Sequence, residues 1–147
     1  MGSAEQWRER FEASQARFDD LLATIGDAPL PQSLPGLRSN SIGEQIWCVI
    51  GARQSYRRAV EAGEWNGFSC SVTGEEVGSS ASLREALRTS AEEWFATEPL
   101  WSDEARASFV FDLLEHEATH QGQLIRYLYG CGLEIPKSWQ KRFALQP

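Results

Sequence analysis

Leu113-Leu-Glu-His-Glu-Ala-Thr-His-Gln-Gly-Gln-Leu124 carries the only two histidines of the chain, His116 and His120. The surrounding run, Asp103 to Tyr129, has the apolar spacing of one long helix, opened by Ser102 or Asp103 and closed by Gly130 and Gly132. Residues four apart in an α-helix differ by about 40° around its axis, so the two imidazoles stack on one face and can close on a single ion. Phe109, Leu113, Leu124 and Tyr127 fall within about 80° of His116 on the same side. The histidines therefore lie along the edge of the apolar stripe and point inward. A buried imidazole needs partners for its ring nitrogens. A single inward histidine is ordinarily met by protein hydrogen bonds. Two at ligand spacing point to a metal.

Three more helical segments precede this one. Ala4 to Ile25 is amphipathic, with Trp7, Phe11, Phe18, Leu21, Leu22 and Ile25 on or near one side, and Gly26 ends it. Asp27 to Asn40 contains prolines and reads as a long connection. Ser41, with Glu44 three residues on, is a capping box for a helix running to about Ala62, before Gly63. Glu64 to Ala81 is rich in Gly and Ser, with room for a short irregular hairpin. Ser82, with Glu85, caps a third helix that ends before Pro99. After Pro136 a short helical turn carries Trp139 and Phe143 back onto the rest. The expectation is a single all-α domain over 1–147, a four-helix bundle with long first and second connections and a short C-terminal helical turn.

Composition bounds the function. At 147 residues, 41% hydrophobic and 24% charged, the chain is one ordinary globular domain. No apolar run reaches membrane-spanning length and no signal-peptide pattern opens it, so a cytoplasmic protein without a membrane partner is expected. The net charge of −7 and the lack of a basic run exclude a phosphate-backbone partner. Arg53, Arg57 and Arg58 form one helical face at most. Three cysteines without paired spacing, Cys48, Cys70 and Cys131, fit a reducing compartment rather than a disulfide framework.

Two histidines need a third ligand, and the second helix offers Cys48. Around it lie Ser41, Glu44, Ala52 and Ser55, with the large aliphatics Ile42, Ile46, Val49 and Ile50 on another side. A face of small and polar residues beside the core is a plausible cavity wall, and a thiolate suits zinc and other borderline metals. On spacing alone, however, a small core residue is the commoner fate of a free cysteine.

Asn40-Ser-Ile-Gly-Glu-Gln-Ile-Trp-Cys-Val-Ile-Gly-Ala-Arg-Gln-Ser-Tyr56, a long irregular segment, a third helix, and then His116-Glu-Ala-Thr-His-Gln-Gly-Gln-Leu124 with Tyr-Leu-Tyr-Gly-Cys-Gly-Leu-Glu-Ile-Pro136 together resemble the DinB/YfiT-like superfamily. The likeness covers about Ser39 to Pro136. It implies a four-helix bundle, commonly a homodimer, with three histidines on a divalent metal: two on the fourth helix, matching His116 and His120, and one on the second, where this chain has Cys48. That departure implies thiolate ligation, weaker metal binding, or loss of the metal. Zinc is the first expectation, with nickel and iron behind it. Characterised relatives are transferases and isomerases that use low-molecular-weight thiols, which makes a metal-dependent thiol S-transferase the first functional expectation. A metal-degenerate, stress-associated bundle acting by association or small-molecule binding is the alternative. Asp112 and Gln123, on the His116 side of their helix, and Glu44, one turn before Cys48, are candidate groups facing a cofactor or substrate. For Glu44 the capping box competes with that role. Trp47, Trp65, Trp94, Trp101 and Trp139 read as core or dimer contacts.

His116-Glu-Ala-Thr-His120 is also a literal zincin signature, in which the glutamate is the general base of a peptidase. That motif needs a further ligand downstream, where Glu134 is the sole acidic residue. Glu117 lies about 100° from His116, to the side of the helix. A metallopeptidase is the remote expectation.

Overall fold

Two buried apolar clusters with a polar layer between them organise the molecule. The computed structural model describes residues 3–147; residues 1 and 2 of the expected 1–147 domain lie outside the described residues. The described residues contain five α-helices and no strand: α1 (Ala4–Ile25), α2 (Ile42–Ala62), α3 (Ser80–Phe95), α4 (Glu104–Gly130) and α5 (Lys137–Phe143). Short 3-10 turns at Glu76–Gly78 and Glu98–Leu100 punctuate the connections.

The helices begin and end where local chemistry dictates. Ser41 accepts from the Glu44 N–H and the Glu44 carboxylate accepts from the Ser41 N–H, so the capping box forms as its sequence predicts. Gly63 closes α2 in the left-handed conformation that glycine adopts without cost. The cap of α3 differs from expectation. Ser79, not Ser82, is the N-cap, and its hydroxyl accepts from the Ser82 N–H. Ser82 is thus already inside the helix.

α2 packs against α3 and α4, and α1 packs against the same two helices. One cluster gathers Phe18, Leu22, Ile46, Leu87, Leu124 and Trp139 among others. The other gathers Phe11, Val60, Trp94, Trp101, Val110 and Leu113. α1 and α4 run from the second cluster to the first, while α2 and α3 run back. Because α2 and α3 share a direction, the chain between them must return along the molecule.

It does so as a strap laid on α2 rather than as a hairpin. The Ser55 hydroxyl bonds both backbone groups of Ser69. The Gln54 amide bonds Ser71, and the Trp47 indole N–H donates to the Val72 carbonyl. Gly51 lets the strap lie close, since a Cβ there would sit 2.3 Å from Phe68 and 2.9 Å from the Cys70 Cβ. Trp94, Trp101 and Trp139 are fully buried core residues as expected, whereas Trp65 is exposed. No described helix is long and apolar enough to cross a membrane.

Candidate metal centre

Cys48 of α2 and His116 and His120 of α4 meet where these two helices face one another. Their ligand atoms all lie within 4.8 Å of one another. The Cys48 Sγ and the His116 Nε2 are 3.7 Å apart, and the two imidazole centroids 4.5 Å. Around a tetrahedral ion with bonds of about 2.0–2.3 Å, ligand atoms are separated by roughly 3.3–3.8 Å, so the cluster needs only a small inward adjustment to close on an ion. His120 is buried; Cys48 and His116 are half-buried. The three cysteines are all free thiols.

The orientation of His120 is fixed by a chain of polar groups whose direction follows from its end. The Asn40 backbone carbonyl can only accept, so the Tyr127 hydroxyl donates to it, at 2.7 Å. Tyr127 then accepts from the Gln45 Nε2 at 3.4 Å, which turns the Gln45 Oε1 toward the His120 Nδ1. His120 must donate from Nδ1, leaving the lone pair on Nε2. A ligating histidine whose other nitrogen donates to a fixed acceptor is the usual arrangement around a protein metal. Sequence reasoning missed Gln45. Its signal was present: Gln45 is an amide among Ile42, Ile46 and Val49, on the apolar side of α2.

Burial sets the protonation of the site. It pushes the His116 imidazole below its ordinary value, against the opposing pull of Glu117 and the Cys48 backbone. Burial, and then the neighbouring His116, push His120 down to about 4. Both rings are thus neutral near pH 7, which is the ligating form. Burial, with a contribution from Cys70, pushes the Cys48 thiol up. Without a cation the thiol is protonated and a poor nucleophile, so Cys48 and His116 alone do not make an activated thiolate dyad. A divalent ion bound there would supply the charge that favours the thiolate.

The other candidates lie outside this cluster. The Glu44 carboxylate is engaged in the cap of α2, and its residue is exposed. Asp112 and Gln123 are exposed on α4. Asp112 lies near Tyr56, whose phenol it helps to raise after the larger effect of burial. Glu117, the zincin base position, is only 1% exposed. Its two oxygens take the Arg53 guanidinium at 2.8 and 3.0 Å and the Ser14 hydroxyl at 2.6 Å. Arg53 is itself buried, and it also donates to Gln15 and the Leu87 carbonyl. A carboxylate so engaged is not free to take a proton from water.

No protein-family model matches the chain, and no curated protein matches it. The DinB-like resemblance rests on the residues that carry it.

Proposed function

We propose that this chain is a DinB-like four-helix bundle in which Cys48, His116 and His120 hold one divalent ion, and that it works as a metal-dependent enzyme on a small thiol or thiol conjugate. The observation that carries the reading is the convergence of three ligand atoms from facing helices within 4.8 Å, both imidazoles neutral. One sulfur and two imidazole nitrogens favour zinc over nickel or iron, and three protein ligands leave a coordination position open. An ion held there supplies a Lewis acid that polarises a substrate and favours the ionised form of a thiol beside it.

The protein's own groups do the rest. Gln45 and Tyr127 hold the His120 ring in one tautomer. Cys48 and His116 are half-buried rather than fully enclosed, and Asp112 lies one turn of α4 before His116. Exposed Trp65, Phe68 and Phe111 offer apolar surface for the homodimer that the resemblance implies. One observation favours the second reading, a metal-free bundle acting by association: burial keeps the Cys48 thiol protonated, which weakens metal capture.

Protein purified without a histidine tag should carry about one metal ion per chain by elemental analysis. Cys48→Ser should weaken zinc binding at least ~10-fold, and Cys48→His should keep it, because a third neutral nitrogen replaces the sulfur. Metal-free protein whose zinc affinity ignores both substitutions would leave the association reading in place of the enzyme.

A further inference from the structure

The opposite shoulder of α4 borders a second feature. A groove of about 760 Å³ runs between α1 and α4, reached at one end by Arg142 of α5. Its floor is Ser14, Glu117 and Gln121, each more than nine-tenths buried. Arg10, Arg17 and Arg142 line it. In a chain of net charge −7, three guanidinium groups over one groove are conspicuous. None of them forms an ion pair among the described residues, whereas Arg8, Arg53, Arg57, Arg84, Arg88 and Arg106 all do. Two carboxylates line the groove against three cations: Glu9, and Glu117, which is paired with Arg53 and also draws on Arg17.

Arg17 is also held in place. The Arg17 Nε donates to the Gln121 Oε1 at 2.8 Å, and Gln121 is in turn fixed by its 2.8 Å bond to Ser14. This tether leaves the two terminal nitrogens of Arg17 as an open fork. Arg17 and Arg142 both stand over the Phe143 ring, at 5.7 and 5.8 Å from its centroid. Burial, and then the charge of Arg142, pull Arg17 below its ordinary value against the opposing pull of Glu117, so the two like charges oppose each other. An anion between them relieves that opposition. A planar guanidinium with a free fork matches the two oxygens of a carboxylate or phosphate.

We propose that the groove between α1 and α4 binds a small molecule through its oxyanion, a carboxylate or a phosphate, gripped by Arg17 and Arg142 with Arg10 at the rim. The site lies on a different face of α4 from the histidines and does not depend on the metal.

The full chain at low ionic strength is titrated with inorganic phosphate and, separately, with succinate, following amide shifts by NMR. Saturable binding of either is expected, with the largest shifts around Ser14, Gln121 and Arg142; which anion binds identifies the class. Arg17→Gln and Arg142→Gln should each weaken it by ~10-fold or more, and Arg17→Lys, which keeps the charge but loses the fork, by less. Arg142 is exposed, so its variant tests the site even where Arg17→Gln disturbs the fold. Arg38→Gln, an exposed cation outside the groove, should leave binding unchanged. No saturable binding of either anion, or an equal loss in Arg38→Gln, overturns the proposal.

Discussion

α4 carries two polar pairs at the same four-residue spacing, offset by one position. Glu117 and Gln121 face α1 and Arg53, and their polar atoms are matched: the Glu117 carboxylate by Arg53 and Ser14, the Gln121 amide by Ser14 and Arg17. His116 and His120 face Cys48, and only His120 has one nitrogen firmly engaged, by Gln45. A shift of about 100° around one helix thus separates a cluster that is complete within the protein from one that retains free ligand atoms. The first is what a buried polar layer between two apolar clusters must be to exist at all. The second has lone pairs to offer and a thiol that burial keeps protonated.

The largest expected effect tests the complete cluster. Glu117→Ala leaves the Arg53 guanidinium buried without its carboxylate, and removing one partner of such a pair costs about 3–5 kcal/mol. That is a large share of a typical domain's stability. Urea denaturation should show it as a lower midpoint, and Glu117→Gln, which keeps the shape and some hydrogen bonds, should show less. A loss below about 1 kcal/mol for Glu117→Ala would mean the pair is solvated as surface pairs are.

The next effect belongs to the open cluster and appears as pH dependence. His120 is held at about 4, below its ordinary value of 6.5. The unfolded chain therefore takes up its proton first as pH falls. For metal-free protein the unfolding free energy should be flat above about pH 7 and decline between about 6.5 and 4, by about 3 kcal/mol at most from this group. His120→Gln should flatten that decline. With zinc bound the decline should steepen, since protons then compete for the ligands as well. A stability profile that rises toward pH 4 would contradict the burial argument.

Much of this contrast was legible in the sequence, and the misses share one cause. The bounds of α1 and α2, the capping box of Ser41 and the shared face of His116 and His120 follow from local spacing and cap chemistry, whereas the meeting of Cys48 with the two histidines is what the DinB-like resemblance implies and spacing alone does not. The pairing of Arg53 with Glu117 is not among the expectations, because charged residues are rarely buried. Yet Arg53 follows Ile46, Val49 and Ile50 on one side of α2, and Glu117 stands between Leu113 and Leu124 on α4, all of them buried. Each is a charge in an apolar row, and only the other helix reveals that the two neutralise each other. The strap over α2 was invisible for a different reason. Its geometry depends on the shared direction of α2 and α3, which no local pattern encodes.

Gln45 gives a finer test, because it links the open cluster to the core. Gln45→Leu removes the acceptor of the His120 Nδ1 proton without touching a ligand. Loss of such an orienting partner typically lowers metal affinity 10- to 100-fold. Nitrogen-15 chemical shifts of the ring should show His120 losing its single tautomer in the variant. An unchanged affinity together with an unchanged tautomer would show that packing alone orients the ring.

The smallest expected effect is the most discriminating. His116→Ala in metal-free protein should change stability by no more than about 1 kcal/mol. The ring is half-buried and has one weak partner, the Cys48 sulfur at 3.7 Å, so its removal strands no buried charge and opens little closed space. The same substitution should abolish most of the stabilisation that excess zinc confers on the parent protein, because ligand-linked stability vanishes with affinity. Glu117→Ala should behave in the opposite way, lowering stability with and without zinc by a similar amount. Thermal melts of the two variants, each with and without zinc, separate the clusters directly. If His116→Ala destabilises the metal-free protein as much as Glu117→Ala does, the histidines are a second structural layer of the core, and the distinction between the two faces of α4 fails.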